Sequence, residues 1–434
     1  MGVLQAPTPK EDRIIILDIL RGFALLGILL VNIMSFSGIW SGGQEWDGYA
    51  NLTVDAIIQF FFRGKFLALF AMLFGVGFAL QSRRYEATPN LFLPIYGRRM
   101  LVLFLIGLAH MTLDPLEILG VYALCGLTLL FFRGIQSKYL LLWTFLLMSL
   151  PYLHTAVIST WTSGEAVTQA SPESANNEKP VIQNVSNMVI EEEEETDADY
   201  GWNPYQGERA IEVYSEGSFK EVLTYNTRFS INRWTSSWVS YLWMSVPLPL
   251  MLIGFVIGRK NVFTNITNTI PRVRSLFWSS LLTGIALTWS AEFLFEWATI
   301  GGWDAWLWFA GSLAWVLGSW LLALGYATGI TILFQKTLWK QFFKPLRAVG
   351  RLTLSNYLLQ TGICILLFYS FGLDLYGKVG PAKVILLALG IYTIQVLLSI
   401  WWSGRFRFGP VEWLWRSLSY MRIQSICLRH VEEH

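Results

Sequence analysis

The stretch LDILRGFALLGILLVN, residues 17–32, has the composition of a membrane-spanning helix, yet it contains Asp18, Arg21 and Asn32. Insertion of an aspartate or an arginine at the centre of a membrane helix costs about 2.5–3.5 kcal/mol. The apolar residues therefore predict a membrane span. The two charges predict that something polar lies beside it.

The remainder of the chain repeats this apolar pattern. Of its 434 residues, 54% are hydrophobic and only 14% are charged, which is too apolar for a soluble globular protein. About ten runs are long enough to cross a hydrocarbon layer about 30 Å thick, so the sequence predicts an all-α polytopic membrane protein. The runs are 14–35, 54–80, 99–113, 117–132, 139–158, 237–258, 275–297, 305–334, 348–372 and 382–402.

The distribution of lysine and arginine predicts the orientation. Segments such as 83–99, 259–274 and 336–351 are basic, whereas the opposite set of short segments contains only Lys378 and Lys383. Because cytoplasmic loops carry an excess of Lys and Arg, we expect both termini in the cytoplasm. The first run contains charges and is followed by no A-x-A type cleavage site, so we expect an uncleaved span.

The runs form two groups around an acidic extracytoplasmic loop. We expect an N-terminal five-helix membrane half at 1–158, the loop at 159–236, a C-terminal five-helix membrane half at 237–403 and a cytoplasmic tail at 404–434. The first part of the loop has the composition of a disordered tether. Residues 206–235 have amphipathic helical spacing, which predicts a lid on the outer face. The aromatic and basic segment of the tail is typical of an interfacial anchor.

Composition gives no support to metal or nucleic-acid binding. Cys125, Cys364 and Cys427 fall in two spans and the inner tail, so we expect no disulfide. Neither these cysteines nor the four histidines have the spacing of metal ligands. The net charge of +2 combines a basic inner face with an acidic outer loop. The partner that the composition predicts is the lipid bilayer.

Candidate binding residues lie on the first two spans. Asp18, Arg21 and Asn32 share one stripe of a helix, since eleven residues at about 100° each return to nearly the same direction. Two interpretations stay open: an Asp18–Arg21 pair that fixes helix packing, or a polar path for a ligand. Arg63 and Lys65 lie on opposite sides of the second span and cannot both face one cavity. We include Lys65 as a binding candidate.

The best acid–base candidate is the segment GLAHMTLDPLEILG, in which His110, Asp114 and Glu117 come close together. A histidine oriented by a carboxylate can act as a general base. The alternative is that these residues meet water and headgroups at the ends of two spans. In a later span, Asn356 and Gln360 share one helix face. As amides, they either bind a ligand or join neighbouring helices.

Several blocks together resemble the YeiB-like family of bacterial membrane proteins. The blocks are RIIILDILRGFALLGILLVN, KFLALFAMLFGVGFAL, RRMLVLFLIGLAH with EILGVYAL, GRLTLSNYLLQ and FRFGPVEWLWRSLSY. The resemblance covers roughly 13–150 and 206–425. It implies a multi-pass protein of the bacterial inner membrane, in a family that is often loosely associated with transport.

The first helix is more distantly similar to that of the acyltransferase-3 membrane enzymes, and YeiB-like proteins are grouped with heparan-α-glucosaminide N-acetyltransferase. In acyltransferase-3 enzymes an arginine is followed eleven residues later by a histidine thought to serve in acyl transfer. The resemblance carries over to Arg21, but Asn32 stands at the histidine's position, and an amide is not a base. Another base is needed, and His110 with Asp114 or Glu117 is our candidate.

The leading hypothesis is transmembrane acyl transfer to a small-molecule or cell-envelope acceptor at the outer face. A cytosolic acyl-CoA would be the co-substrate, with no tightly bound cofactor, and its phosphates would meet Arg21 and the loop arginines Arg98 and Arg99. One alternative is a transporter or export facilitator for a small solute, which would use the same charges. Another is a sensor whose outer loop binds a ligand. The sequence leaves open the acceptor, the acyl group and whether the protein forms oligomers.

Overall fold

The computed structural model describes residues 14–42, 46–169, 204–235, 246–260, 266–300 and 304–427. These residues form helices and loops, with an isolated antiparallel bridge between Phe406 and Cys427. The predicted all-α fold is therefore confirmed for the described chain. Its helices are α1 (Ile15–Phe36), α2 (Tyr49–Ile57), α3 (Lys65–Arg84), α4 (Pro89–His110), α5 (Leu119–Thr128), α6 (Ser137–Gln169), α7 (Glu208–Glu216), α8 (Phe219–Thr235), α9 (Pro247–Arg259), α10 (Ile266–Ile300), α11 (Ala305–Leu333), α12 (Thr337–Arg351), α13 (Thr353–Phe368), α14 (Pro381–Arg405) and α15 (Pro410–Ser419).

Several long apolar helices indicate an integral, multi-pass membrane protein. Within the described residues, five helices are long and apolar enough to cross a membrane, or six if the bent pair α12–α13 counts as one span. At two of the predicted runs the helices are short, since α5 has 10 residues and α9 has 13. The division into two five-helix halves stays a prediction. The five long helices are Ile15–Phe36, Tyr49–Arg84, Asn90–His110, Ala305–Leu333 and Pro381–Arg405.

The helix α4 is longer than the run at 99–113 that predicts it, because it already begins at Pro89. Arg98 and Arg99, expected in a cytoplasmic loop, therefore lie inside a helix, and both are half-buried. Polar surroundings within a protein reduce the cost that an arginine would have against lipid. A hydropathy pattern does not register such surroundings, so the predicted helix starts too late.

The run at 348–372 is not the single span that the sequence predicts. It is divided at Leu352 into α12 and α13, whose directions differ by 82°. Such a break leaves the first N–H groups of α13 without helical acceptors. Glu412 of α15 accepts hydrogen bonds from two of them, the amides of Leu354 and Ser355. The partner that stabilises this break lies far away in the chain, where local hydropathy cannot reveal it.

The second predicted span is also interrupted. Helix α2 passes through a π-helical turn at Ile58–Phe62, and α3 begins after Gly64. Gly64 has a φ of 80°, a left-handed conformation that favours glycine. Arg63 is exposed and donates to Gln59 at 2.8 Å, whereas Lys65 is buried. The two cations have different surroundings, but the single helix that was expected to hold them on opposite sides is interrupted between them.

Two pairs of helices cross with their backbones in contact. On α12, a Cβ atom at Gly350 would lie 1.7 Å from the carbonyl oxygen of Asp18 on α1. On α3, a Cβ atom at Gly75 would lie 1.9 Å from the carbonyl oxygen of Met251 on α9. Small residues at such crossings are a main means of helix association in membranes. These two contacts hold α1 and α3 in the positions that build the cavity described below.

Replacement of Gly350 by alanine is expected to force α1 and α12 apart and to lower the free energy of unfolding by about 1–3 kcal/mol, the usual cost of overpacking. Gly97→Ala on α4 is the matched control, because a Cβ atom there meets nothing within 4 Å. Thermal unfolding of both purified variants in detergent measures the difference. Equal melting temperatures would contradict the close crossing of α1 and α12.

The segment 206–235, predicted to be helical, contains α7 and α8 and packs on the loop between α4 and α5. Asn226 donates to two carbonyl oxygens of that loop, at 3.2 and 3.0 Å. Arg233 donates to a third at 2.7 Å. Helix α6 extends to Gln169, beyond the predicted end of its run. The rest of the predicted tether, 170–203, lies outside the described residues.

Candidate functional site

A cavity of about 200 Å³ lies among α1, α3, α4, α5, α12, α13 and α15. Most of its wall is apolar or aromatic. Its charged and amide side chains come from five different helices and their ends, so that only the folded chain brings them together. These polar residues are Arg21, Gln81, Arg99, Arg351, Glu412 and Arg416.

Helix α1 presents one face to the cavity. Arg21, Leu25 and Ile28 line it, at spacings of four and three residues, which is the pattern of a single helix face. Asn32 is the next residue of that face, but it does not line the cavity. Its side chain is half-buried and makes no hydrogen bond among the described residues. Of the polar residues predicted to share one face of α1, Arg21 lines the cavity and Asn32 does not.

Asp18 and Arg21 form the ion pair of the packing interpretation, with Nη1 3.3 Å from Oδ1. The Asp18 side chain is 1% exposed, whereas Arg21 is 31% exposed and lines the cavity. The same guanidinium can thus hold Asp18 and face a ligand, so the two interpretations are compatible. Removal of Arg21 would deprive a buried carboxylate of a partner, which is strongly destabilising.

Arg98 and Arg99 are adjacent on α4 but have different surroundings. Arg98 Nε donates to the carbonyl oxygen of Ser419 at 3.0 Å, and Arg98 does not line the cavity. Arg99 does line it, with its guanidinium carbon 4.7 Å from the ring centre of Trp415. Within the described chain, Arg99 makes no ion pair. Of the two arginines, only Arg99 lines the cavity and is positioned to contact a ligand there.

Sequence reasoning misses Glu412, which lines the same part of the cavity. Its carboxylate is buried and accepts hydrogen bonds from the Leu354 amide, the Ser355 amide and the Ser355 hydroxyl. Burial raises the pKa of Glu412, although these hydrogen bonds act in the opposite direction. The one available signal was a single acid within an aromatic and basic tail, in the first turn of the helix that the Gly-Pro pair begins.

The apolar end of the cavity leads towards His110. Along α4, Arg99 and Leu103 line the cavity, and His110 follows Leu103 at a rise of about 10 Å. Tyr357 of α13 lines the cavity and also packs on the His110 ring, with ring centres 5.1 Å apart. One tyrosine ring therefore separates the cavity from the histidine.

His110 has one ring nitrogen with a hydrogen-bond partner and one without a partner among the described residues. Its Nε2 lies 2.9 Å from the hydroxyl oxygen of Thr361. Its Nδ1 is buried and has no hydrogen-bond partner among the described residues. In the tautomer with the proton on Nε2, the ring donates to Thr361 and the Nδ1 lone pair can accept a proton. This tautomer gives His110 the chemistry of a general base.

The two carboxylates expected beside His110 are engaged elsewhere. Asp114 accepts from the hydroxyl of Tyr205 at 3.1 Å, and Glu117 accepts from two backbone amides at the start of α5. Among the described contacts, no hydrogen bond joins His110 to either of them, and Thr361 is its partner instead. The reason is local, because the uncapped N–H groups of α5 compete for the Glu117 carboxylate. A catalytic role for these residues stays a prediction.

Arg233 of α8 compensates negative charge of this carboxylate pair. Burial lowers the pKa of Arg233 to about 10, and attraction to Asp114 and Glu117 opposes that effect. Arg233 therefore stays cationic at neutral pH. Its donation to the loop before α5 joins α8 to the segment that carries both acids.

The remaining binding candidates do not line the cavity. Asn356 donates to the Ser399 hydroxyl at 3.0 Å, and Gln360 donates to the Gln395 side chain at 2.9 Å. Both bonds join α13 to α14, which agrees with the helix-joining alternative for these amides. Lys65 faces α11 and is discussed below.

The fold and the cavity define an all-α, multi-pass membrane protein with an arginine-lined cavity between its helices. The chain is 31% identical to the uncharacterized protein YxaH of Bacillus subtilis (strain 168), over 98% of each protein. It therefore belongs to that family, which also includes the uncharacterized protein YeiB of Escherichia coli (strain K12), 26% identical over 94% of this chain and 96% of that protein. The predicted YeiB-like membership is confirmed.

Two further comparisons agree with this assignment. A family model described as "Protein of unknown function (DUF418)" matches residues 257–422. An uncharacterized 39.9 kDa protein from the amylase 3' region of Bacillus acidopullulyticus is 26% identical over 98% of each chain. No solved structure matches the chain.

Proposed function

We propose that the protein is a membrane acyltransferase, which takes an acyl group from a cytosolic CoA thioester and transfers it to an acceptor at the outer face. The observation that supports this proposal is the course of the cavity. The cavity begins among arginines and ends at Tyr357, whose ring packs on the buried His110. The Nδ1 atom of His110 has no hydrogen-bond partner among the described residues.

The arginine end suits the phosphates of the donor. Arg21, Arg99, Arg351 and Arg416 contribute guanidinium groups there, and guanidinium binds phosphate through charge-assisted, often bidentate hydrogen bonds. Glu412 is held by the start of α13, so its hydrogen-bonding capacity is directed away from the ligand. The excess of arginines over acids at this end favours a polyanion.

The size of the cavity limits what can enter it. Pockets for drug-sized ligands usually measure about 300–1,000 Å³, whereas this cavity measures about 200 Å³. We infer that only the slender pantetheine arm and a short acyl group enter, while the nucleotide stays at the arginine end. The apolar wall that includes Leu25, Ile28 and Leu103 suits such an arm.

The proposed chemical step uses Nδ1 of His110, which has no hydrogen-bond partner among the described residues. His110 Nδ1 takes the proton from an acceptor hydroxyl or amine, whose oxygen or nitrogen attacks the thioester carbonyl carbon. A bond forms between the acceptor and the acyl carbon, the carbon–sulfur bond breaks, and the thiolate leaves on CoA. The proton on His110 then passes to the thiolate, which restores the neutral base. Thr361 holds the ring orientation throughout.

The proposed topology has ten crossings, with both termini on the cytoplasmic side of a bacterial inner membrane. The charge distribution supports it, because the arginine end of the cavity is built from the basic segments that the positive-inside rule assigns to the cytoplasm. Arg351 ends the basic helix α12, and Arg416 belongs to the tail helix α15. An even number of the predicted crossings precedes Arg351, and likewise Arg416. Both residues therefore lie on the same side of the membrane as the N-terminus in this topology.

The native cysteines test the orientation of the tail. Cys427 is exposed, whereas Cys125 and Cys364 are buried. A membrane-impermeant maleimide is expected to leave intact spheroplasts unlabelled and to label one thiol after the membrane is opened. Cys427→Ser is the control and should abolish that labelling. Labelling of wild-type protein in intact spheroplasts would mean that the tail lies outside.

Transport of a small solute remains the second candidate, and the interrupted helices favour it. The break at Gly64 and the 82° bend between α12 and α13 resemble the discontinuous helices that build midplane binding sites in transporters. A transporter would use the arginine end as a binding site and would not need a base at His110.

Calorimetric titration of the purified protein in detergent tests the proposed donor. We expect acetyl-CoA and CoA to bind with micromolar dissociation constants, and pantetheine, which lacks the phosphates, to bind far more weakly. Equal affinity for all three would show that the arginines do not contact phosphate. Absence of acetyl-CoA binding at millimolar concentration would remove the donor and make transport the leading function.

A further inference from the structure

Lys65 is a buried cation that the cavity does not use. Its side chain is 0% exposed, and its Nζ atom has no hydrogen-bond partner among the described residues. The nearest recorded contact of Nζ is the ring of Trp315 on α11, with its centre 5.4 Å away. A buried ammonium without hydrogen bonds is strongly disfavoured, so its presence within an apolar span indicates a functional site.

The start of α3 adds further unsatisfied donors at the same place. Lys65 is the first residue of α3, and no side chain caps this helix. The first N–H groups of a helix lack intrahelical acceptors, and they favour an anion. Gly64, with its left-handed backbone, sets this helix start directly after the preceding π-helical turn.

A second side chain supports the same site independently. Ser319 of α11 is 2% exposed, and its hydroxyl has no hydrogen-bond partner within the described chain. This hydroxyl lies 3.6 Å from the position that a Cβ atom on Gly64 would take. The Trp315 ring lies 2.9 Å from that same position. One ammonium, one hydroxyl and a helix start are therefore gathered at one place, and neither the ammonium nor the hydroxyl has a hydrogen-bond partner among the described residues.

The neighbouring charged residues do not satisfy Lys65. Arg63 is directed to Gln59 and to the Trp40 ring. Glu292 on α10 attracts Lys65 electrostatically, but it is exposed and forms no ion pair with Lys65 in the described structure. The described residues therefore leave the Nζ atom of Lys65 without a hydrogen-bonding partner.

We propose that Lys65, Ser319 and the first amides of α3 bind the carboxylate group of an organic acid. One ammonium compensates one negative charge, and the two carboxylate oxygens suit the ammonium on one side and the hydroxyl and amides on the other. Trp315 is only half-buried, so rotation of one indole gives access to the site. Phe66 follows Lys65 in the chain, and its ring stacks on that of Tyr326 with centres 5.5 Å apart, so we favour an acid with an apolar tail.

Titration of the full-length protein in detergent with octanoate, acetate and octyltrimethylammonium tests this site. We expect octanoate to bind, and Lys65→Met to weaken it by about 10- to 150-fold, the range for a hydrogen bond to a charged group. Ser319→Ala, a milder change, should weaken it about 5-fold. Arg63→Gln is the matched control at the same helix break and should leave the affinity unchanged.

The outcomes separate the possible sources of the acid. Binding of octanoate without acetate indicates an amphiphile from the lipid phase, whereas equal binding of both indicates a free small acid. The proposal would be overturned if octanoate did not bind, or if octyltrimethylammonium bound as tightly as octanoate. It would also be overturned if Ser319→Ala bound octanoate with the wild-type affinity, and this variant decides the matter even if Lys65→Met fails to fold. Arg99→Ala should keep octanoate binding, so failure of this site is distinguishable from failure of the acyl-CoA cavity.

Discussion

Replacement of Arg99 by alanine is expected to weaken acetyl-CoA binding by about 10- to 150-fold. A hydrogen bond to a charged group contributes about 1.5–3 kcal/mol, and 1.4 kcal/mol corresponds to a factor of ten in the dissociation constant. Arg99 lines the cavity and makes no ion pair among the described residues. Its removal takes a positive charge away from the ligand. Removal of Arg21 would in addition leave the buried carboxylate of Asp18 without this ion pair. Calorimetric titration of wild type and variant measures the change.

Arg98→Ala is the matched control for this experiment. Arg98 is the preceding residue, is also half-buried and carries the same charge, but it is bound to the carbonyl oxygen of Ser419. A general effect of net charge would weaken binding in both variants equally. A direct phosphate contact confines the loss to Arg99→Ala. Equal acetyl-CoA affinities of wild type and Arg99→Ala would contradict a phosphate contact at this end of the cavity.

The first helix shows what the sequence can and cannot predict about the site. Helical periodicity predicts that Asp18 and Arg21 meet, and the structure pairs them at 3.3 Å. The same periodicity puts Asn32 on that stripe, yet the cavity does not extend to it. Periodicity gives directions around one helix. How far a cavity runs along that helix depends on neighbours such as α5, whose positions the local sequence does not contain.

The helix interruptions have the same physical origin. The predicted runs 54–80 and 348–372 extend across Gly64 and Leu352 despite the charged residues beside them, so unbroken spans were expected at both places. The break at Leu352 is stabilised by Glu412, a distant residue that caps α13. The break at Gly64 is uncapped in the described chain. The all-α membrane fold was predictable because burial in lipid constrains composition, whereas the breaks depend on single tertiary contacts.

The catalytic candidates illustrate a competition that residue spacing does not resolve. The spacing of His110, Asp114 and Glu117 predicts that they approach one another, which suggests a histidine oriented by an acid. In the structure, a new helix begins directly after Glu117, and its amides take that carboxylate. Thr361, far along the chain, binds the histidine instead. Proximity in sequence correctly indicated that the three residues lie near one another. The hydrogen bonds of Glu117 depend instead on nearby backbone amides that have no other acceptor among the described residues.

Replacement of His110 by glutamine is expected to lower the rate of acyl transfer by about 10²- to 10⁴-fold, the usual contribution of a general base. Acetyl-CoA affinity should be unchanged, because His110 lies beyond Tyr357 and does not line the cavity. Glutamine can still hydrogen-bond to Thr361, so the helix contact is kept while the base is lost. Inside-out membrane vesicles supplied with acetyl-labelled acetyl-CoA measure the label that becomes attached to acceptors.

His154→Gln is the matched control for this last change, since His154 is exposed on α6 and should tolerate the substitution. Thr361→Val should also reduce transfer, by less than His110→Gln, because it removes the group that fixes the ring and leaves the base present. A wild-type transfer rate in His110→Gln would exclude His110 as the base. If that variant also moved solute at the wild-type rate, while Arg99→Ala did not, the cavity would be a transport site.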